Sequence, residues 1–355
     1  MKARLADIAA QAGVSEATVS RVLNGRPGVA ASTRRTVLTA LDVLGYERPV
    51  KLRSRSAGLV GLIVPELQNP IFPAFAGVIE SALARHGYTP VLCTQSPGGA
   101  TEDDYVEMLL ERGVSGIVFV SGMHADTLAS RDRYRGLVDR RLPVVFINGY
   151  AEGLDAPFVS DDDVAAMDLA VNHLVQLGHT RIGLAVGPDH YVPVQRKRRG
   201  FVSALYSTLG LPPDQAAAWV AHGFFSVEGG HAAAQLLLDE GCTAVICGSD
   251  MMALGVVRAV RGRGLEVPAD VSVVGYDDSP LIAFTDPPLT TVRQSVDAMG
   301  NAAVRALLDE INGTPAPHAE YVFRPELVVR GSTGAARVSR PGAFKARRQG
   351  PPRSR

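Results

Sequence analysis

The 355-residue sequence has few of the features that mark secreted, metal-binding or membrane proteins. Its three cysteines, Cys93, Cys242 and Cys247, form no CxxC pair, which indicates neither a disulfide framework nor a zinc site. We expect buried thiols in a reducing compartment. No early apolar stretch resembles a signal peptide, and no run of about 20 apolar residues could span a bilayer. These absences predict a soluble, cytoplasmic protein that does not bind membranes.

Catalytic and cofactor-binding motifs are missing as well. The sequence contains no GxGxxG, GxxxxGK[ST], GxSxG or HExxH, and no Cys/His/Asp set at convincing strand ends. Three consecutive acids, Asp161, Asp162 and Asp163, could suggest a metal site, but no companion ligands have a suitable spacing and a solvated loop is the expectation. We therefore predict no enzymatic activity, no cofactor and no metal.

The formal net charge is zero, but the charges are unevenly distributed. Residues 1–56 contain ten Lys/Arg against four Asp/Glu, and residues 334–355 contain seven basic residues and no acid. The segment between them is left with 19 basic against 32 acidic residues. A basic head on an acidic body indicates a phosphate-facing module attached to a part that does not bind nucleic acid.

Residues 5–24, LADIAAQAGVSEATVSRVLN, have the pattern of a helix, a tight turn and a second helix. Gly13 lies where the turn needs a backbone without a Cβ, and Ser15 is placed to cap the second helix. A short helix with a polar face that carries Arg21 is what the major groove of DNA accepts. A third helix is predicted over residues 32–44.

Strand and helix patterns alternate from residue 59 onward and then restart near residue 165, which predicts two lobes with parallel sheets. The expected strands are residues 59–64, 89–93, 116–120, 143–147, 181–185, 219–221, 244–247, 271–276 and 321–329. The expected helices are residues 74–86, 102–111, 165–177, 196–209, 227–240, 253–263 and 296–311. A cleft between two such lobes is a natural site for a small molecule.

Several motifs resemble those of the LacI/GalR family of transcriptional regulators, from the start of the chain to about residue 331. They are residues 5–24 quoted above, LGY at 44–46, VGLIVPELQNPIFP at 60–73, HLVQLGHTRIGL at 173–184, RKRRGF at 196–201, SDMMALG at 249–255 and VPADVSVVGYDDSPLIAFTDPPLTTV at 267–292. The first and the last are long and specific, whereas an isolated helix-turn-helix match would be weak.

The resemblance implies an all-α helix-turn-helix head joined to an α/β core with the two-lobed, type I architecture of periplasmic binding proteins. The expected segments are a DNA-binding head at 1–46, a hinge at 47–57, an effector-binding and dimerisation core at 58–331, and a basic, disordered tail at 332–355. Within the core, lobe 1 is expected at about 58–157 and 291–318, and lobe 2 at about 158–290 and 319–331.

The resemblance also implies function. It predicts a homodimeric regulator, a repressor, that binds a roughly palindromic double-stranded DNA operator under control of a small polar effector such as a sugar. The implied DNA contacts are Ser15, Glu16, Ala17, Thr18, Ser20, Arg21, Asn24, Leu52 and Arg53. Arg21 suits guanine because its planar fork matches O6 and N7. The implied effector contacts are Phe72, Asn148, Arg196, Lys197, Phe225, Ser249 and Asp277.

The chain departs from the family pattern at three places. Lys197 stands where the family usually has arginine, so the orientation of the effector is set differently or Arg196 takes over. Ala30 stands where a serine would cap the third helix. The linker ERPVKLRSRS is short and offers Leu52 as its one candidate for insertion into the minor groove.

A solute-binding protein of a transport system is the alternative that the two-lobed pattern leaves open. The basic head and the missing signal peptide argue against a solute-binding protein. Deleting residues 1–56 would distinguish the two, because a transport protein would keep its function and a regulator would keep only ligand binding.

Overall fold

The computed structural model describes residues 5–24, 26, 28–44, 57–95, 98–314 and 316–337. The chain divides into two compact units, residues 1–59 with 84–89 and residues 60–83 with 90–355. The predicted hinge residues 47–56, including Leu52 and Arg53, lie outside the described residues, and so do residues 338–355 of the predicted tail.

The head contains three helices, α1 (Leu5–Ala12), α2 (Glu16–Leu23) and α3 (Ala31–Val43). Gly13 has a φ of +64°, as the tight turn before α2 requires. The apolar positions of the three helices meet in one small core, because Ile8, Val19 and Val37 are completely buried. The helix-turn-helix and the third helix that the sequence predicted are therefore both present.

Two six-stranded sheets, each flanked by helices, form the rest of the described chain. The first sheet has the order β11-β5-β4-β3-β1-β2. Its strands are β1 (Gly58–Val64), β2 (Tyr88–Thr94), β3 (Gly116–Val120), β4 (Val144–Ile147), β5 (Phe158–Asp161) and β11 (Glu320–Phe323). The helices of this lobe are α4 (Ile71–Arg85), α5 (Glu102–Glu111), α6 (Asp132–Asp139) and α12 (Val296–Ile311). The central strands β3 and β4 are buried along their whole length, which explains their continuous apolar sequences.

The second sheet has the order β12-β10-β9-β8-β6-β7. Its strands are β6 (Ile182–Val186), β7 (Val220–His222), β8 (Ala244–Cys247), β9 (Ser272–Asp277), β10 (Thr290–Arg293) and β12 (Glu326–Val328). The helices of this lobe are α7 (Asp163–Gln176), α8 (Val192–Leu209), α9 (Pro213–Ala217), α10 (Val227–Asp239) and α11 (Asp250–Gly262). Strand β12 runs antiparallel to β10, whereas β6 to β10 pair in parallel, as alternating strands and helices predict.

The limits of the two lobes differ from the predicted ones. Strands β5 and β11 belong to the first sheet, where they pair with each other in parallel, and β10 belongs to the second. The predicted strand at 321–329 is two strands, β11 and β12, that lie in different sheets. The chain therefore crosses between the lobes three times, after β5, after β10 and after β11.

Residues 332–337 are ordered, which corrects the prediction that the tail is disordered from residue 332. Ser332 is completely buried, accepts a hydrogen bond from the amide of Thr290 (2.8 Å) and donates to the carbonyl of Val273 (2.6 Å). The amide of Ala336 donates to the carbonyl of Leu177 (2.8 Å). This segment supplies hydrogen-bond partners at the edge of the second sheet, which the composition of the tail did not indicate.

The three cysteines are buried thiols, as predicted, and burial raises the pKa of Cys93 to about 11 and that of Cys242 to about 12. Within the described ranges, none of the helices has the length and apolar character needed to cross a membrane.

Candidate functional site

Helix α2 has the exposed polar face that a groove-reading helix needs. Ser15 caps it by accepting a hydrogen bond from the amide of Thr18 (3.2 Å). Val19 and Val22 are completely buried, and this fixes the opposite face outward with Glu16, Ala17 and Arg21 exposed. Arg21 is the one basic residue of the helix. Three of the predicted base-reading residues therefore share one accessible face.

The remaining predicted DNA contacts on this helix already make local hydrogen bonds. Thr18 shares a hydroxyl hydrogen bond with Ser15 (2.9 Å), and the side-chain amide of Asn24 donates to the carbonyl of Ser20 (2.8 Å). Such short-range bonds hold the ends of the helix in place. Side chains held in this way suit contacts with phosphate, which set register and carry no base information.

A cavity of about 650 Å³ lies between the two lobes of the core. It is bordered by the carboxyl ends of parallel strands from both sheets, which is where ligands of open α/β sheets bind. Its walls are formed by Pro65, Glu66, Asn69, Ile71, Phe72, Gln95, Ser121, Ala125, Asn148, Asp163, Pro188, His190, Tyr191, Pro193, Lys197, Phe224, Phe225, Gly248, Ser249, Tyr276, Asp277 and Gln294.

Strained backbone conformations are concentrated at these strand ends. Ser121, Asn148 and Asp277 all have positive φ values, of +48°, +60° and +115° respectively, although none of them is glycine. Each follows or ends a buried strand and lines the cavity. Residues held in sparsely populated regions of φ/ψ space are found preferentially at ligand sites, because the surrounding fold must hold them there.

Aromatic side chains provide the apolar walls. Phe72 lies in the first turn of α4 in the first lobe. Tyr191 and Phe225 of the second lobe lie edge to face with ring centroids 6.4 Å apart. A Cβ on Gly187 would lie 2.2 Å from the ring of Phe225, so only glycine leaves room for that ring. Aromatic faces of this kind can stack on the apolar side of a sugar ring.

A chain of hydrogen bonds connects the polar groups of the cavity. The amide nitrogen of Gln294 donates to Asp277 (2.6 Å), and Asn148 donates to the amide oxygen of Gln294 (3.4 Å). Asp277 is 6% exposed, and burial, followed by the nearby carboxylate of Asp250, raises its pKa well above the ordinary value. The two lobes are thus linked at the cavity through Gln294, which the sequence analysis did not single out.

Lys197 lies at the bottom of the cavity and is paired with Asp163. Its ammonium group donates to the Asp163 carboxylate and lies 3.8 Å from the centroid of the Tyr276 ring. Gly200, one turn along α8, makes this approach possible because a Cβ there would lie 2.8 Å from Cα of Val164 in α7. The position that usually carries arginine in the family is therefore occupied in this chain by a lysine that is held in a buried ion pair.

The prediction that the triple acid run is a solvated loop is wrong. Asp161 and Asp163 are 3% and 5% exposed. Asp161 accepts a hydrogen bond from the hydroxyl of Tyr276, whereas Asp162 caps α7 through the amide of Ala165 (3.0 Å). Burial raises the pKa of Asp161 to about 7 and also raises that of Asp163. The run marks the first crossing between the lobes, where the chain leaves β5 and enters α7.

Arg196 does not line the cavity, so the idea that it replaces the family's arginine is not supported by its position. Its guanidinium forms a bidentate pair with Glu320 of β11, at 2.5 and 2.9 Å. Since Arg196 belongs to α8 and Glu320 to the first sheet, this pair links the lobes. On α8, residues 196 and 197 are 100° apart around the helix axis and face different surroundings.

The other predicted effector residues, Phe72, Asn148, Lys197, Phe225, Ser249 and Asp277, all line the cavity. Ser249 also caps α11 by accepting from the amide of Met252 (3.2 Å). Asp163, Tyr191, Tyr276 and Gln294 line it too and were missed. Tyr276 stands directly before Asp277 in the GYDD motif, and that adjacency was the one signal available for it.

Comparisons with known proteins agree with both parts of the chain. Residues 4–48 match the family model "Bacterial regulatory proteins, lacI family", and residues 171–333 match "Periplasmic binding protein-like domain". The HTH-type transcriptional regulator reg1 of Streptomyces lividans is 66% identical over 338 residues, which cover 95% of this chain and 98% of that protein.

Two solved structures extend the likeness to the whole fold. The structure of the transcriptional regulator CelR in complex with cellobiose has a TM-score of 0.69 at 30% identity and covers 93% of this chain and 100% of that chain. The Lac repressor dimer bound to operator and the anti-inducer ONPF has a TM-score of 0.68 at 29% identity and covers 94% and 100%. These relatives are regulators of transcription and not enzymes. The chain belongs to the LacI family of transcriptional regulators.

Proposed function

We propose that this regulator is a cytoplasmic repressor that binds a palindromic operator as a homodimer and responds to a carbohydrate bound between its lobes. The observation that carries the proposal is the composition of the cavity, in which aromatic faces surround a linked set of amide, carboxylate and ammonium groups. Aromatic rings cover the apolar face of a sugar, and these polar groups pair with its hydroxyls.

Within this proposal, Phe72 and Phe225 stack on the sugar, while Asn148, Lys197 and Asp277 bind its hydroxyl groups. Gln294 and Tyr276 hold Asp277 and Lys197 in position. Hydrogen bonds between the lobes lie beside the cavity, where binding of a ligand would change them. Thr127 of the first lobe donates to the carbonyl of His190 of the second lobe from both its amide (2.9 Å) and its hydroxyl (2.8 Å). Of the two structural neighbours, one is bound to cellobiose and the other to operator DNA, which supports the same assignment.

Two exposed apolar side chains in one short segment support the dimer. Leu281 and Phe284 are 74% and 85% exposed at the 3₁₀ turn after β9. Large apolar side chains clustered at the surface mark interaction sites, and a second copy of the chain is the partner that a palindromic DNA site requires. A solute-binding protein for transport would need no LacI-type head, so the regulator is the better proposal.

Footprinting on the DNA upstream of the gene, with and without sugars, tests this function. We expect a protected two-fold symmetric site whose occupancy changes when a cognate sugar is added. Deleting residues 1–56 should abolish the footprint and retain sugar binding. Binding without sequence preference would contradict the regulator role, and an operator complex that responds to no sugar would contradict the effector class.

A further inference from the structure

Three carboxylates surround a single ammonium group at the bottom of the cavity. Asp163 is in direct contact with Lys197, and the hydroxyl of Tyr276 lies between Asp161, to which it donates, and Asp163, whose oxygen is 3.3 Å away. Asp277 and Asp161 are both close enough to Lys197 for its charge to act on them. Carboxyl groups therefore outnumber cationic groups at the place where the ligand would touch the protein.

The charge of Lys197 is already compensated. The side chain is buried, its ammonium is bound by Asp163, and its other face rests on the Tyr276 ring. Among the described residues that line the cavity, Lys197 is the one Lys or Arg, whereas Glu66, Asp163 and Asp277 contribute carboxyl groups. The imidazole of His190, also in the wall, lies 3.8 Å from the carboxylate of Asp126. An incoming anion would thus meet no uncompensated cation among these described residues.

We propose that Asp163 is a specificity-determining residue, which neutralises Lys197 and makes the cavity accept uncharged sugars and reject their phosphorylated or carboxylated forms. The ammonium keeps N–H groups to donate to a sugar hydroxyl, because it has three donors and Asp163 occupies only part of them. The inference rests on the proposed function in taking a sugar as the effector, and it adds the charge that this sugar must have.

The physical basis is the cost of bringing a negative ligand beside buried carboxylates. In a partly buried site, two like charges several ångströms apart repel strongly enough to lower affinity by about tenfold or more. A neutral hydroxyl group pays no such penalty and gains hydrogen bonds from the same carboxylates. Replacing Asp163 with asparagine removes one negative charge, leaves an amide oxygen for Lys197 and so exposes the charge of Lys197 to the ligand.

The test uses the full-length protein and isothermal calorimetry with two matched probes, glucose and glucose 6-phosphate, together with cellobiose and inorganic phosphate. For the wild type we expect weaker binding of glucose 6-phosphate than of glucose and no binding of phosphate. Asp163→Asn should bind glucose 6-phosphate at least about tenfold more tightly than the wild type and gain measurable affinity for phosphate. Damage to the fold would not produce such a gain.

Three further variants sharpen the comparison. Asp168→Asn makes the same chemical change at an exposed position of α7, outside the cavity, and should behave as the wild type. Asp163→Glu retains the charge and should still reject the anions. Asp161→Asn leaves the Lys197 contact in place. Measured at pH 8, above the raised pKa of about 7 of Asp161, it removes a neighbouring negative charge and should raise anion affinity, which provides a second test if Asp163→Asn folds poorly.

Equal or tighter binding of glucose 6-phosphate by the wild type would overturn the proposal, and so would an Asp163→Asn protein that gains no affinity for phosphate. If neither glucose nor cellobiose binds the wild type, these sugars fail as effectors. The phosphate measurements would still decide the role of Asp163, because they require no sugar.

Discussion

Arg21 carries the one guanidinium group of α2 and lies on its exposed face, opposite the buried Val19 and Val22. A planar fork of donors matches the O6 and N7 acceptors of guanine, whereas Glu16 and Ala17 on the same face offer an acceptor and a methyl group. We therefore expect recognition of the DNA sequence by this head to depend most on Arg21.

We predict that Arg21→Ala lowers operator affinity by about 1 to 3 kcal/mol and relaxes the preference at one position in each half-site. Binding to a library of operator variants measures both effects. Arg35→Ala, which removes an equal charge from an exposed position of α3, is the matched control and should leave the base preference unchanged. If Arg21→Ala leaves the base preference unchanged, Arg21 does not read a base.

Asp277 is the residue on which effector binding is expected to depend. Asp277→Ala should lower sugar affinity at least about tenfold, because it removes the acceptor and leaves the side-chain N–H of Gln294 without that partner, while operator binding without sugar persists. Asp277→Asn keeps a side-chain oxygen that can accept the hydrogen bond from Gln294, so it should retain part of the response. Titrating sugar against the operator complex compares the variants, and a normal response of Asp277→Ala would contradict the assignment.

At the residue scale, a position in the cavity wall could be predicted where a motif fixed both the residue and its place at a strand end. Asn148 and Asp277 line the cavity in this way, because the carboxyl ends of parallel strands meet at one edge of each sheet, and their effector contacts stay predictions. It failed for Asp163 and Gln294, since their roles depend on the approach of α8 and β9, which are distant in sequence. The DNA contacts remain predictions, and those at Leu52 and Arg53 fall outside the described residues.

At the scale of elements, amphipathic helices and continuous apolar strands were predicted well. Helices α5 and α12 have the predicted bounds because amphipathic runs of this length have one plausible conformation, and strands β3 and β8 have them because they are almost entirely apolar. Strand β5 was missed because its sequence, FVSD, has only two apolar residues and gives no periodic or continuous apolar signal. Strands β11 and β12 were merged because only two residues separate them, and sequence patterns do not report a change of sheet.

Helix α3 begins at Ala31 after Ala30, which has no side chain that can cap it. We predict that Ala30→Ser stabilises α3 by about 1 kcal/mol, because its hydroxyl can accept from an amide of the first turn. Amide hydrogen exchange in α3 of the full chain measures the change. Ala10→Ser, at an exposed position inside α1, is the control and should bring no gain. Unchanged exchange in α3 would indicate that its first turn has another partner.

The first crossing between the lobes is sensitive to pH through Asp161. Because its pKa is raised from 3.8 to about 7, the folded state holds a proton that the unfolded chain releases, and stability from this group is lost as the pH rises from about 4 to about 7. A difference of one bound proton between the folded and unfolded states changes the free energy of unfolding by at most about 1.4 kcal/mol per pH unit. Thermal unfolding measured between pH 4 and 8 should show a smaller loss of stability with rising pH for Asp161→Asn than for the wild type. The same dependence of stability on pH in both proteins would refute this role of Asp161.

For the whole molecule, the proposed dimer depends on the exposed segment with Leu281 and Phe284. We predict that Phe284→Glu shifts the protein toward monomers and lowers operator affinity at least about tenfold, because one half-site then binds without the other. Sedimentation velocity and gel shift measure the two effects. Leu128→Glu, at a residue that is 80% exposed elsewhere, is the control. A dimeric Phe284→Glu protein would move the interface to another surface.

The late strands also determine the order in which the chain can fold during synthesis. The first sheet is complete only with β11 at residues 320–323, and the second only with β12 and the buried Ser332. Neither lobe can therefore close its sheet until nearly the whole chain has left the ribosome, whereas the head, whose contacts are local, can form at once. In a newly made molecule, the helix-turn-helix head can thus be folded before the cavity between the lobes is complete.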